Sequence, residues 1–329
     1  YIKAQAGYAD YYPGYGWFGN IEELNNTSMF KLKMIAEDNI ELSGVPVDVA
    51  TTVLDLPSGW NWIGYTPQLP NSLSNALINI PDGNASYIKS QAGFADYYND
   101  YGWYGSLSVM SPFEGFQLQL NEATSFAYND VVDGGFFTSN YNVLDFNTVY
   151  DVNIHDYEFN GSITVALYKD GVRLNSDDYL LAAFNGHECV GYTEGILFPL
   201  DGNRVYPLMV YSNEVSNSLT YEAYEKSTGN YYTIDMELSV PFVSDMTHGN
   251  GFEPIVMALD NQVSEYQLSS PYPNPFNPVV NFDLTLTGDN YVNARIYDIT
   301  GKEVEVLYNE MMSANYKTLS WNAGDHASG

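Results

Sequence analysis

Basic side chains are scarce in this 329-residue sequence: 11 lysines and arginines stand against 41 aspartates and glutamates, for a formal net charge of -30. A chain with this charge repels phosphate backbones and anionic lipid surfaces. Nucleic acid is therefore excluded as an expected partner. The sequence also lacks a run of about 18 apolar residues, the length a membrane-spanning helix needs, so no membrane insertion is predicted.

Cysteine is nearly absent, since Cys189 is the single one. It has no partner for an internal disulfide, so an extracellular fold must be stabilised by core packing alone. The chain begins at Tyr1 rather than at a methionine, and it carries no signal peptide. We therefore expect the native N-terminus to lie upstream or to have been processed.

Motifs of common catalytic chemistries are missing as well. The sequence has no phosphate-binding glycine loop, no His-Glu-x-x-His pair and no nucleophile elbow. Metal-ligand spacing is also lacking among the four histidines, which are His155, His187, His248 and His326. We therefore predict that this segment is not an enzyme and holds no cofactor, and we leave open a catalytic domain upstream of residue 1.

Aromatic residues are abundant, with 30 tyrosines, 16 phenylalanines and 5 tryptophans, whereas charged residues make up 16% of the chain. This composition is typical of pleated, half-buried surfaces rather than of helices. The length allows about two to four domains, each with its own hydrophobic core. The sequence therefore predicts an all-β protein.

An internal repeat organises the N-terminal part. The segment "YIKAQAGYADYYPGYGWFG" at residues 1–19 returns as "YIKSQAGFADYYNDYGWYG" at residues 87–105, with fourteen of nineteen positions identical and a displacement of 86 residues. Repetition of this kind indicates an array of like modules. We predict that residues 1–38 are the C-terminal part of one β-rich module, residues 39–120 a complete module, and residues 121–139 a linker. Because Tyr1 aligns with the middle of the unit, further repeat sequence is expected upstream.

Within the complete module, alternation predicts strands in "IELSGVPVDV" at residues 40–49 and in "TTVLDL" at residues 51–56. A short helix over "LSNALINI" is expected to begin at Ser72, whose hydroxyl satisfies free backbone donors, and to end before Pro81. Strands resume in "SYIKSQAG" and "EGFQLQL".

In residues 140–260, turn residues separate short segments with strand-like patterns. Apolar and polar residues alternate through "SITVALYKDGVRLN", which turns at Asp170-Gly171, a pair that tolerates the positive φ of a tight hairpin. Further short strands follow in "DYLLAAF", "YPLMVYS", "SLTYEAY" and "YYTIDMEL". This rhythm predicts a β-sandwich accessory domain.

Residues 261–329 begin with the proline-rich "SPYPNPFNP", a stiff connector because proline removes a backbone donor and extends its predecessor. The motifs "YPNPFNP", "ARIYDITGKEV" and "LSWNA" follow one another in this segment. Together they resemble the type A sorting domain of the type IX secretion system of Bacteroidota, a small Ig-like sandwich. The residues that carry the resemblance are Tyr272, Pro273, Asn274, Pro275, Phe276, Asn277, Pro278, Tyr297, Asp298 and Gly301.

The resemblance implies recognition by the type IX secretion machinery and an extracellular or outer-membrane-surface location. The whole chain is then expected to consist of tandem small β-rich modules followed by Ig-like β-sandwich domains. The family ends on an "ASG.Y" strand, whereas this sequence reaches "HASG" at Gly329, so the last strand of the sandwich is expected to be absent. The repeat unit in turn resembles repeats of large secreted proteins from the same bacteria.

Two constellations admit a chemical interpretation and a structural one. His187 and Cys189 would share one face of a strand and could form a thiolate-imidazole pair, although a buried cysteine is the favoured interpretation. Carboxylates in loops could bind Ca²⁺, and solvated turns explain them equally well. They are Asp130, Asp133, Asp177 and Asp178, and none is assigned as a metal ligand.

The aromatic clusters of the repeat are candidate contact residues, since tyrosine and tryptophan provide much contact area at low entropic cost. They could stack on surface glycans or on a neighbouring copy of the chain, and they could equally form the module core. The candidates are Tyr11, Tyr12, Trp17, Tyr97, Tyr98 and Trp103.

The first functional hypothesis is a non-catalytic structural or adhesive segment of an exported surface protein, whose copies self-assemble head to tail into an extracellular filament by strand addition at exposed edges. The alternatives are the C-terminal accessory region of a large secreted hydrolase, a protease or glycosidase, and a carbohydrate-binding module.

Overall fold

The computed structural model describes residues 1–36, 44–129, 149–186, 188–235, 241–262, 267–272, 278–286, 290–312 and 316–324. The chain divides into two compact units. The first comprises residues 1–146 and 153–162, and the second comprises residues 147–152 and 163–329. Nearly all regular structure in the described residues is β-strand, so the predicted all-β class is confirmed.

The described residues of the first unit form thirteen complete strands, one short α-helix and a 3₁₀ turn at Ile154–Asp156. The elements are β1 (Ile2–Ala4), β2 (Gly7–Tyr12), β3 (Gly16–Gly19), β4 (Lys31–Leu32), β5 (Leu54–Leu56), β6 (Gly59–Gly64), β7 (Asn71–Ser72), α1 (Leu73–Ala76), β8 (Ala85–Lys89), β9 (Phe94–Tyr98), β10 (Gly102–Gly105), β11 (Val109–Met110), β12 (Gly115–Leu120) and β13 (Thr124–Phe126).

The two copies of the repeat form sheets with the same local topology. The first copy has the strand order β3-β2-β1-β4, and the second has β10-β9-β8-β12-β6. Their registers agree residue by residue: Ile2 pairs with Ala9 and Leu32, as Ile88 pairs with Ala95 and Leu118. The structural equivalence therefore extends to β4 and β12, beyond the segment in which the sequences are nearly identical.

A glycine at the end of each repeat hairpin is required by close backbone contact. An added Cβ at Gly19 would lie 2.0 Å from the carbonyl oxygen of Tyr8, and one at Gly105 would lie 2.2 Å from that of Phe94. Because these are backbone atoms of the adjacent strand, no side-chain movement can relieve the overlap.

The core of the second copy lies between its sheet and the segment that precedes β8. Ser72 caps α1 by accepting a hydrogen bond from the backbone N–H of Asn75, as predicted. Buried Leu73, Ala76 and Leu77 pack with Ile88 and Phe116 in one cluster. The strand predicted over residues 40–49 is wrong for its described part, since residues 44–49 form none; Pro46 there lacks the N–H that a ladder needs.

In the part of the second unit that the structure describes, the main sheet has ten strands. Their order is β17-β16-β21-β22-β25-β14-β19-β18, and β15 and β24 pair with β14. The strands of this region are β14 (Phe159–Lys169), β15 (Val172–Arg173), β16 (Tyr179–Asn185), β17 (Glu188–Glu194), β18 (Ile196–Leu197), β19 (Arg204–Ser212), β20 (Ser216–Asn217), β21 (Thr220–Glu225), β22 (Asn230–Asp235), β23 (Phe242–Val243), β24 (Thr247–His248) and β25 (Ile255–Gln262).

The hairpin predicted at Asp170-Gly171 is present, with φ angles of 52° and 77° at the two turn residues. A β-sandwich is predicted for residues 140–260, whereas hydrogen bonds link their strands into a single sheet. The sheet curls until β17 meets β19: an added Cβ at Gly191 would lie 2.0 Å from the carbonyl oxygen of Met209. Alternation identifies the buried face of each strand but not its neighbours.

The described residues of the C-terminal segment form two small sheets, β26-β27-β30 and β28-β29. Their strands are β26 (Gln267–Leu268), β27 (Val279–Thr285), β28 (Asn290–Tyr297), β29 (Glu303–Met312) and β30 (Tyr316–Asn322). Leu286, Met312 and Leu319 form a buried cluster with apolar residues of both sheets, as expected for two sheets packed face to face.

Candidate functional site

The hairpin of β2 and β3 in the first repeat copy carries aromatic side chains on both faces. On one face the rings of Tyr11 and Trp17 lie 5.3 Å apart, because these two residues are directly paired across the strands. On the other face Tyr12 and Phe18 meet edge to face with their centroids 5.8 Å apart. The hairpin therefore presents two aromatic pairs rather than one continuous cluster.

Exposure distinguishes the two copies. Tyr8 is 56% exposed, whereas its equivalent Phe94 is 2% exposed. Tyr12 is 52% exposed, whereas its equivalent Tyr98 is 8% exposed. Equivalent positions in one register thus differ in exposure between the two copies of the described chain.

In the second copy the equivalent Tyr–Trp pair contacts residues of its own module. Tyr97 and Trp103 meet edge to face with their centroids 5.2 Å apart, and Trp103 packs against the module core. The Tyr97 hydroxyl donates a hydrogen bond to the carboxylate of Asp82, and this bond is the largest cause that raises the pKa of Tyr97 to about 12. Of the six predicted contact residues, Tyr11, Tyr12 and Trp17 are therefore the ones exposed to solvent.

The lysine of the repeated "YIK" motif has a structural role that its sequence pattern does not reveal. Lys3 donates a hydrogen bond to Glu158 at 2.7 Å, and Lys33 lies 3.5 Å from the same carboxylate. The hydrogen bond from Lys3 is the largest cause that lowers the pKa of Glu158 to about 2. The equivalent Lys89 donates to the side-chain oxygen of Asn160 at 3.1 Å. The segment that contains residues 158–160 thus binds the same lysine position in both copies.

The predicted pair of His187 and Cys189 is only half described, since His187 lies outside the described residues. The thiol of Cys189 packs against the cluster of Tyr150, Leu180 and Tyr231. Burial raises its pKa to about 12. At neutral pH this cysteine is therefore a thiol rather than a nucleophilic thiolate.

The carboxylates considered for Ca²⁺ are only partly described. Asp130 and Asp133 lie outside the described residues. The carboxylate of Asp178 accepts hydrogen bonds from the backbone N–H and the hydroxyl of Ser227, which joins two loops. Among the residues that the structure describes, no group of three or more potential metal-binding side chains is present.

The C-terminal motif residues form specific local structure. The Asp298 carboxylate accepts hydrogen bonds from the Thr300 hydroxyl at 2.6 Å, the Lys302 N–H at 3.0 Å and the Thr300 N–H at 2.8 Å. These bonds lower its pKa, and the one from the Thr300 hydroxyl has the largest effect. Gly301 completes this turn with a φ of 84°. Tyr272 forms a β-bridge with Asn281. Tyr297, which precedes Asp298 in the chain, is exposed. The backbone carbonyl of Pro278 accepts a hydrogen bond from the Ala323 N–H. The remaining motif residues, Pro273, Asn274, Pro275, Phe276 and Asn277, lie outside the described residues.

Residues 270–329 match the family described as the secretion system C-terminal sorting domain. The match indicates export by the type IX secretion system and hence a secreted or cell-surface protein. No curated protein and no solved structure matches the chain. None of the helices in the described residues is long and apolar enough to cross a membrane.

Proposed function

We propose that this chain is a non-catalytic structural or adhesive segment of a surface protein of a Bacteroidota bacterium, and that copies of the protein associate through the aromatic hairpin of the first repeat copy. The observation that carries this proposal is the exposure of Tyr8, Tyr11, Tyr12, Trp17 and Phe18, each more than half accessible to solvent. The sorting-domain match supplies the route to the cell exterior.

The physical argument is the cost of leaving such a surface in water. Complete burial of a fully exposed large side chain contributes roughly 1.5–3 kcal/mol, so burial of the exposed half of each ring contributes about half of that. Exposed aromatic residues that lie side by side on one face of a hairpin are typical of an interaction site. A partner sheet that covers one face of this hairpin would bury two adjacent rings at once. Because the hairpin carries an aromatic pair on each of its two faces, contacts made through both faces would build a fibre outside the cell.

The non-catalytic part of the proposal is supported by Cys189. Its thiol is packed in an apolar cluster and its pKa is raised by burial, so it does not provide a nucleophile at neutral pH.

The test is sedimentation velocity of the full chain over a range of concentrations, with electron microscopy of the concentrated sample. Wild-type protein is expected to form larger species as its concentration rises. The double variant Tyr11→Ser/Trp17→Ser is expected to remain monomeric at the same concentrations. Phe113→Ser is the matched control, because Phe113 is a 93% exposed aromatic residue outside the hairpin; loss of association in this control as well would contradict the proposal, as would a wild-type chain that stays monomeric.

A second candidate function, glycan binding, is favoured by the geometry of the Tyr11–Trp17 pair. Two half-exposed rings with centroids 5.3 Å apart and an angle of 59° between them offer a platform on which a sugar ring can stack. Glycan-array binding that disappears in Tyr11→Ser/Trp17→Ser and persists in Phe113→Ser would select this function over self-association.

A further inference from the structure

The first unit contains a lysine and an asparagine that are buried together in an unusual environment. Lys89 is 1% exposed, and its ammonium nitrogen Nζ lies 3.1 Å from Oδ1 of Asn160. Asn160 is 8% exposed. The amide nitrogen of Asn160 is held at 3.4 Å from the backbone carbonyls of Ser90 and Gln91. The amide group is thereby fixed with its carbonyl toward the lysine.

The surroundings of this pair are aromatic and contain a buried acid. Tyr87 and Phe94 stack with their ring centroids 5.8 Å apart on the same sheet face as Lys89, and the Tyr87 hydroxyl bonds to Ser162 at 2.7 Å. Asp96 pairs with Tyr87 across β8 and β9, which places it diagonally next to Lys89. Burial raises the pKa of Asp96 to about 7. A carboxyl with that pKa is partly protonated near neutral pH.

We propose that Lys89 and Asn160 form an intramolecular isopeptide bond. The neutral amine of Lys89 attacks Cγ of Asn160, and a new C–N bond forms. The bond between Cγ and Nδ2 of Asn160 then breaks, and one molecule of ammonia leaves with the proton that the lysine nitrogen gives up. Asp96 transfers that proton to the leaving nitrogen. The reaction consumes no oxidant, metal or cofactor, and it converts two side chains into one amide.

The environment favours each part of this step. Burial disfavours the charged form of an amine, and the neutral amine is the nucleophile. The fixed positions of the two groups replace a bimolecular encounter with an intramolecular one, which removes the entropic cost of bringing the two groups together. A site excluded from bulk water also protects the amide from hydrolysis.

The first repeat copy supplies an internal comparison. Its equivalent lysine, Lys3, is paired with the carboxylate of Glu158 rather than with an amide, and the side chain of Lys3 is 43% exposed. A solvated ammonium beside a carboxylate stays an ion pair, because neither group is activated. The same lysine position thus has a reactive environment in the second copy only.

The bond would join residues that are 71 positions apart in the chain. A covalent closure of this length restricts the unfolded ensemble, and it also carries tension that hydrogen bonds between strands would not withstand. This benefit suits a protein displayed outside the cell with a single cysteine, although the inference itself does not depend on the proposed self-association.

The experiment is intact-mass spectrometry of the folded full chain, followed by peptide mapping. The wild-type mass is expected to fall below the sequence mass by one ammonia molecule, and digestion is expected to release a branched peptide that joins Lys89 to Asn160. Lys89→Arg and Asn160→Ala are expected to show their full sequence masses. Lys3→Arg, the matched control, is expected to retain the loss.

A wild-type chain that is folded by circular dichroism and keeps its full sequence mass after prolonged incubation near neutral pH would overturn the proposal. A mass loss that persists in Asn160→Ala would overturn it as well, because the ammonia would then come from another residue. Asp96→Asn is expected to slow the mass loss several-fold, and an unchanged rate would overturn the role of Asp96.

Discussion

At the scale of single residues, burial and hydrogen bonding shift the pKa values of carboxyl groups in this acidic chain in opposite directions. Burial raises the pKa of Glu222 to about 7, although the Tyr150 hydroxyl donates to its carboxylate at 2.6 Å. The pKa of Glu225 is lowered, since hydrogen bonds from Thr228, Tyr179 and Tyr232 together outweigh the effect of burial. Two glutamates of one strand therefore respond to pH with opposite sign.

The first prediction concerns Glu222→Gln. A carboxyl whose folded-state pKa lies above its unfolded value stabilises the fold least when it is ionised, so wild-type stability should fall between about pH 4.5 and 7 through this group. Glutamine removes that ionisation. The unfolding free energy of the variant relative to wild type should therefore rise from pH 5 to pH 8, by up to about 3 kcal/mol, in urea unfolding of the full chain.

Glu225→Gln is the matched control for this prediction. Because the folded-state pKa of Glu225 is lowered, its charge stabilises the fold above the unfolded pKa, and this stability is lost as the pH falls. The variant should therefore be destabilised relative to wild type at pH 8, with a smaller difference at low pH. The same pH trend in both variants would contradict the burial argument.

At the scale of elements, the repeat hairpins depend on glycines that no other residue can replace. The strand that ends at Gly105 passes so close to β9 that an added Cβ would lie 2.7 Å from Cα of Ala95 as well as 2.2 Å from the Phe94 carbonyl oxygen. Gly19 meets the equivalent atoms in the first copy. The repeated "GWYG" and "GWFG" motifs thus have a steric reason.

We expect Gly105→Ala to destabilise the second copy by about 1–3 kcal/mol, the usual cost of forcing extra atoms into a packed site. Faster hydrogen exchange of the β9 and β10 amides would report the effect. Gly44→Ala is the control with nothing within 4 Å of its added Cβ, and its exchange should match wild type. Equal protection of these amides from exchange in Gly105→Ala and in wild type would contradict the steric argument.

At the scale of the whole molecule, the C-terminal segment has its own small core of Leu286, Met312 and Leu319, apart from the repeat modules. The residues of this core lie in the segment that is expected to act as the export signal. The sorting-domain match places that signal in residues 270–329.

We predict that deletion of residues 270–329 prevents export to the cell exterior, while a chain without residues 1–36 is still exported. Immunoblots of cells and medium from a bacterium with a type IX system measure both outcomes. Undiminished export of the chain without residues 270–329 would mean that another segment carries the export signal.

Several features were determined by the sequence itself, because each depends on neighbouring residues. Alternation and the excess of aromatic residues established the all-β class, Ser72 defined the start of the helix, and Asp170-Gly171 defined a hairpin. The repeat also followed from sequence alone, and so did the C-terminal motif. The strand predicted over residues 40–49 is absent from the described residues 44–49, because the missing N–H of Pro46 outweighs the alternating pattern.

Only the tertiary structure decided which strands are neighbours and which repeated residues are buried. The single curled sheet, the exposure of Tyr12 against the burial of Tyr98, and the meeting of Lys89 with Asn160 all depend on chain segments tens of residues away. Identical motifs acquire different surroundings because burial is fixed by whatever packs against a strand, and periodicity within the strand carries no information about that partner.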